Sequence, residues 1–221
     1  MSTLRESQQG SGSMSERMEF LSEDDLDTLY DAPGEMVTRA QTNHLTDFHL
    51  EYLKHATFFI IASGGADGQD ASPRGGSAGL VEVIDRKTVC FGDWPGNNKI
   101  ETLRNIARNN QLGLLFLFPG LDIFMRINGT AGITTDDSVR ARLKEGDKLP
   151  KLAVVVNIEA VYFHCGKAIN RAGLWKEESR IPRKSVPSPG VMMKALAEID
   201  DMDADELNAH YDEAMHNELF G

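Results

Sequence analysis

Apolar residues recur along this chain with two periods, and the change falls near residue 57. Before it the spacing is helical. Ser22 with Glu23, Asp24 and Asp25 forms a helix start, Leu26, Leu29 and Tyr30 supply a short apolar side, and Pro33-Gly34 breaks it. Thr46-Asp47 opens a second helix through about Lys54, with Phe48, Leu50, Tyr52 and Leu53 available to pack. From Thr57 to Ser63 (TFFIIAS) the run is short and dense in β-formers, which predicts a buried strand. Gly64 to Gly68 reads as a hairpin loop. Pro73 and Gly75-Gly76 suit an edge, a bulge or a mouth rather than mid-sheet. Leu80 to Ile84 alternates as a half-buried strand does, Asp85-Arg86-Lys87 turns the chain, and Thr88 to Phe91 is another short strand.

A short amphipathic stretch follows, with Ile100, Leu103, Ile106 and Ala107 on one side. The run Leu112 to Phe118 predicts a buried strand that Pro119-Gly120 ends. Phe124 to Thr134 predicts a further strand with Gly129 as a bulge position; Phe124, Arg126 and Asn128 point one way, Met125 and Ile127 the other. Thr135-Asp136-Asp137 starts a helix ending near Gly146, Ala153 to Phe163 is a long strand, and a small helix spans roughly Lys167 to Gly173. Many short strands with brief turns and few helices argue for an antiparallel β-barrel with helical additions, a mainly β (α+β) fold.

Composition narrows the function classes. A chain of 221 residues holds one sizeable domain with extensions or two small ones. Its net charge of −11 argues against a general nucleic-acid surface, although a local basic pocket remains compatible. The two cysteines, Cys90 and Cys165, form no CxxC pair, and the six histidines show no HExxH spacing, so no metal site is expected. His44, His49 and His55 cluster near one helix; without a carboxylate or cysteine set they read as exposed or hydrogen-bonded side chains. The start of the chain lacks a basic-then-apolar signal pattern and no apolar run approaches about 20 residues, so a cytoplasmic location and no membrane partner are expected.

The stretch Gly92 to Gly129 carries the candidate chemistry. The turn Trp94-Pro95-Gly96 leads into Asn97-Asn98-Lys99 and then the amphipathic segment. Asn97 or Asn98 suits an N-cap. A first helical turn offers free N–H groups and the positive end of the dipole to an anion. Lys99 adds a mobile cation, and Gly96 lets the backbone approach a ligand closely. These features suit a phosphate; by themselves they also fit a capped surface helix with a solvated lysine.

Several strings, taken in order, carry a resemblance: Ser72-Pro73-Arg74-Gly75, Pro95-Gly96-Asn97-Asn98-Lys99, Leu103-Arg104-Asn105-Ile106, Gly113-Leu114-Leu115-Phe116 and Arg126-Ile127-Asn128-Gly129. His164-Cys165-Gly166-Lys167, Arg171 and Leu174-Trp175 complete them. From about Thr57 to Trp175 the chain resembles the FMN-binding split β-barrel proteins related to pyridoxamine 5'-phosphate oxidase. The resemblance implies a homodimer with FMN in two symmetric clefts at the subunit interface. Carried over by position, Arg74 and Lys99 grip the FMN phosphate with help from Asn97 and Asn98. Asn98 stands where the oxidases usually carry Arg, which leaves one positive charge fewer. Ser72 and the backbone around Gly92-Asp93 border the flavin ring. Arg126 lies on the strand that faces the flavin in relatives, and Lys167, Arg171 and Trp175 close the pocket, from the same or the other subunit.

The organisation expected is a disordered tail over residues 1–17, a helical extension over 18–56, the FMN-binding split barrel over 57–180 and an acidic helical extension over 181–221. No nucleophile–base pair stands out, which fits an FMN-dependent oxidoreductase whose ring carries two-electron or hydride transfer for a small-molecule substrate or reductant. The catalytic residues stay unassigned. A flavin carrier or sensor without turnover, or a relative binding deazaflavin F420 or haem, are the alternatives. The region after Trp175 (KEESRIPRKSVPSPG) lacks the Arg-x-His-x-Arg-type signature that holds the B6 substrate, so efficient oxidation of pyridoxine or pyridoxamine 5'-phosphate is not expected. Met192 to Phe220 has helical spacing at Leu196, Ile199, Leu207, Tyr211, Met215 and Leu219 and reads as a packing or dimer-capping extension rather than an active-site element.

Overall fold

A computed structural model describes residues 18–65, 68–217 and 219. The chain divides into two compact units, residues 1–38 and 39–221. The expected disordered tail, the hairpin tip at residues 66–67 and residue 220 lie outside the described residues. In the first unit, α1 (Glu23–Leu29) begins where the acidic cluster predicts it. The Asp25 backbone N–H donates to Ser22 Oγ, and the Ser22 backbone N–H donates to the Asp25 carboxylate at 2.8 Å, a reciprocal cap of two otherwise orphaned donors. The helix α2 (Glu35–Arg39) follows Gly34.

In the second unit, α3 (Asp47–Lys54) precedes β1 (Phe58–Gly65), β2 (Gly68–Gly75), β3 (Val81–Asp85) and β4 (Thr88–Asp93). Next come α4 (Glu101–Arg108), β5 (Gln111–Leu117), β6 (Ile123–Thr134), α5 (Asp137–Arg140), β7 (Leu152–Cys165) and α6 (Lys167–Ala172). A helix pair, α7 (Pro189–Leu196) and α8 (Ala204–Asn217), ends the unit. The strands form one seven-stranded sheet, β2-β1-β5-β6-β7-β4-β3, antiparallel at every step. Pro73 sits on the edge strand β2 opposite Ile60, where its missing N–H leaves no gap in an inner ladder.

The sheet is strongly curled. Four ladder steps separate β1 from β4, about 19 Å in a flat sheet. Yet the Phe59 ring of β1 meets the Phe91 ring of β4 edge-on with centroids 5.1 Å apart. The inward faces of β1, β5, β6 and β7 meet in one core that includes Phe59, Ile61, Leu114, Phe116, Ile127 and Val156. The ladder order still ends at β2 and β3 rather than closing into a ring. At Asn128/Gly129 the β6–β7 register shifts, and a Cβ on Gly129 would lie 2.0 Å from the Asn157 carbonyl oxygen. The bulge expected at Gly129 is there, and only glycine lets the two backbones touch.

Two elements, α4 and α5, depart from the sequence reading. The helix α4 is not capped by Asn97 or Asn98. It starts at Glu101 with Ile100 in the cap position and no side-chain cap, because Asn97 Oδ1 is taken by the Lys99 backbone N–H at 3.0 Å. Its buried face holds Thr102, Leu103, Asn105 and Ile106, while Ala107 and Ile100 are exposed. Two polar residues replace them because both find partners inside: Thr102 donates to Asp70 and Asn105 Nδ2 donates to Ser63 Oγ at 3.2 Å. The helix expected to run to Gly146 ends at Arg140, and a single 3-10 turn, Ala141–Leu143, follows.

Candidate functional site

A cleft of about 1360 Å³ opens between the end of β2, the end of β4, the turn 94–100 and the start of α4. Seven of the residues singled out in the sequence line it together: Ser72, Arg74, Gly92, Asp93, Asn97, Asn98 and Lys99. Five cations (Arg74, Lys99, Arg142, Lys144 and Lys151) face four carboxylates along its walls. The cleft therefore has a slight positive excess in a chain of net charge −11.

Arg74 is the best-defined group. Its Nη1 donates to Ser72 Oγ at 2.7 Å and to the Pro73 carbonyl at 3.0 Å, and its Nη2 lies 3.7 Å from Asp93 Oδ1. Its Nε is buried and has no hydrogen-bond partner in the chain. A guanidinium carries five donors in a fixed fork, and the chain leaves this one unused. Burial pushes the Asp93 carboxyl above its usual range against the opposing pull of Arg74 and Lys151.

The turn before α4 lines the same cleft. Asn98 has φ 58°, a left-handed conformation that Asn tolerates better than most residues, and the Asn97 side chain closes the turn on the Lys99 N–H. Thr102–Asp70 and Asn105–Ser63 tie α4 to β2 and β1 and so set Lys99 beside the strand that carries Arg74. Sequence periodicity missed these four polar residues, because pairing across the fold leaves no local signature. Gly92 is tightly enclosed: an added Cβ would lie 2.9 Å from Pro150 Cβ and 3.2 Å from Trp94 Nε1.

Arg126, Lys167, Arg171 and Trp175 do not line this cleft. They gather where β6 begins and β7 ends. Arg126 Nη1 donates to the Tyr162 hydroxyl at 3.1 Å, and its guanidinium carbon lies 5.8 Å from that ring's centre. Lys167 and Arg171 are exposed on α6, and Trp175 Nε1 donates to the Leu121 carbonyl at 2.9 Å. The C-terminal segment, expected to be a packing or dimer-capping extension rather than an active-site element, puts Tyr211, Ala214, Met215 and Leu219 on the cleft wall.

The family profile described as pyridoxamine 5'-phosphate oxidase matches residues 45–165, more than half of the chain. The chain belongs to the pyridoxamine 5'-phosphate oxidase family. The curled, open antiparallel sheet with helical additions is the family's split barrel. No curated protein matches the chain. Among solved structures, HupZ from Group A Streptococcus is 20% identical with TM-score 0.44, over 53% of this chain and 92% of that one. A candidate pyridoxamine 5'-phosphate oxidase from Lactobacillus delbrueckii is 24% identical with TM-score 0.44, over 55% of this chain and 95% of that one. The FAD binding protein from Mycobacterium smegmatis is 16% identical with TM-score 0.39, over 56% of this chain and 97% of that one. The residues after 165 fall outside the family match. No described helix is long and apolar enough to cross a membrane.

Proposed function

We propose that this chain binds FMN in the cleft and serves as an FMN-dependent oxidoreductase, working as a homodimer. The observation that carries the reading is that Arg74, whose buried Nε has no partner in the chain, lines one cleft together with Lys99 and the Asn97-Asn98 turn. A terminal phosphate has the several acceptor oxygens that such a fork and ammonium require. Family membership makes a flavin the natural bearer of that phosphate. When bound, FMN supplies the two-electron chemistry.

The residues of this chain bind and orient. Arg74, steadied by Ser72 Oγ and the Pro73 carbonyl, fixes one side of the phosphate, and Lys99 neutralises the other. Gly92 and Trp94 shape the wall where a flat ring would lie, since any side chain at Gly92 would crowd the indole. Arg126, Lys167, Arg171 and Trp175 reach the ring from the second subunit in this reading, because they lie outside the cleft of their own chain. The missing C-terminal B6 signature favours a substrate other than pyridoxamine 5'-phosphate.

The test is spectral. Purified protein given FMN is expected to show flavin bands that bleach on reduction, to elute as a dimer, and to oxidise NAD(P)H faster than free FMN does. A Soret band or a deazaflavin band in their place points to the alternative cofactors, and bound FMN without turnover points to a carrier. Protein indifferent to added FMN ends the proposal.

A further inference from the structure

We propose that Asp93 is a built-in rival of the bound phosphate: its carboxylate shares Arg74 with the anion, lowers the affinity of the cleft for FMN and speeds FMN release. The proposal rests on the flavin reading of the same cleft. Arg74 lies at the end of β2 and Asp93 at the end of β4, and five ladder steps part these strands in the sheet. The two side chains nevertheless meet in the cleft, with Nη2 and Oδ1 3.7 Å apart. That separation is short enough for an ion pair and too long for a hydrogen bond. Asp93 therefore offers Arg74 its charge and no directional bond. Ser72 Oγ and the Pro73 carbonyl already hold the guanidinium at 2.7 and 3.0 Å, so its orientation does not depend on Asp93.

Burial keeps the pair loose. The two side chains are 22% and 20% exposed. The Asp93 carboxyl sits above its usual range because lost hydration outweighs the pull of Arg74 and Lys151, the two cations that face it. Of the two positive charges that Arg74 and Lys99 bring to the cleft, Asp93 offsets one. A phosphate monoester carries about −1.5 to −2 charges at neutral pH. Once it rests on Arg74, Asp93 shares its cation and gains an anion as neighbour. Repulsion between two anions on one guanidinium is worth about tenfold in affinity after solvent screening. The carboxylate thus keeps the ligand exchangeable where an uncharged side chain would let Arg74 hold it.

The experiment compares the native full chain with Asp93→Asn, which keeps the side-chain shape and removes the charge. Fluorescence quenching gives the affinities for FMN and riboflavin, and the fluorescence rise on stopped-flow dilution gives FMN release. Asp93→Asn is expected to bind FMN about tenfold more tightly and to release it more slowly, with riboflavin affinity unchanged. Glu145→Gln removes a charge from a carboxylate that lines the same cleft but is held by Ser77, and should shift FMN affinity by less than about threefold. FMN affinity that falls in Asp93→Asn, or stays within about threefold of native, marks an orienting strut or a bystander and overturns the proposal. Equal tightening toward riboflavin, or equal tightening in Glu145→Gln, overturns it too. Inorganic phosphate, followed by the rise in melting temperature, separates the proposal from the flavin reading. If the native chain ignores FMN yet Asp93→Asn binds phosphate more tightly than native does, the flavin reading fails and the role of Asp93 stands. Indifference of both chains to FMN and to phosphate ends both.

Discussion

Arg74→Ala isolates the proposed anion grip. The substitution removes the buried Nε, which has no partner within the chain, and the Nη groups that now hold Ser72 Oγ, the Pro73 carbonyl and the neighbourhood of Asp93. A hydrogen bond to a charged group contributes about 1.5–3 kcal/mol net. Two such bonds to a phosphate would total about 3–6 kcal/mol. The Arg74 side chain is 22% exposed, so water screens part of the attraction, and about 2–4 kcal/mol is the range to expect. At about 1.4 kcal/mol per decade this weakens FMN binding by roughly 30-fold to 1,000-fold. Riboflavin has the same ring and no phosphate, so its affinity should barely move. Arg74→Lys keeps the charge but loses the fork and should fall between the two. The assay is flavin fluorescence quenching at fixed ionic strength, with melting temperature as the folding control. FMN affinity within about threefold of native, or an equal loss for riboflavin, would refute the phosphate role of Arg74.

Three further predictions concern the fold. Gly129→Ala forces a Cβ to 2.0 Å from the Asn157 carbonyl oxygen and should destabilise the sheet by at least about 2 kcal/mol in urea denaturation, because backbone cannot yield as a side chain does; an unchanged midpoint refutes the bulge geometry. His49 is buried on Phe163, its Nδ1 accepts the Thr46 N–H at 3.0 Å, and burial, with a lesser push from His44, holds its pKa below the usual 6.5. The unfolded chain therefore takes up a proton first as pH falls below about 6.5, so the stabilisation is complete above that pH and is lost below it. His49→Gln keeps an acceptor at the third helical position and should flatten the fall in unfolding free energy between pH 6.5 and pH 5, as followed by denaturant titration. Cys90 is fully buried and burial pushes its thiol up to about 11, whereas Cys165 is exposed. Native protein at pH 8 should therefore titrate one thiol with a disulfide reagent and two after unfolding.

Local chemistry made much of the chain legible in advance. Every expected strand is present, since short β-branched and aromatic runs between Gly, Pro and Asx turns have few other outcomes. The edge position of Pro73 and the bulge at Gly129 followed from what a missing N–H and a missing Cβ permit. The residues Arg74, Asn97, Asn98 and Lys99 could be named in the chain, and the fold brings them to one cleft. Tertiary structure alone decided the rest. Curling brings β1 against β4, four ladder steps away, and periodicity within a strand carries no information about that contact. Thr102 and Asn105 are buried, against helical-wheel expectation, because Asp70 and Ser63 wait for them on other strands. Asn97 gives up the helix cap for the turn, and α8 folds back onto the cleft, because both outcomes depend on neighbours far away in sequence. The sequence by itself determined which residues could form strands and which polar side chains were candidates for a shared cleft. Three-dimensional packing decided which of them meet, because partners distant along the chain are chosen by the shape of the whole.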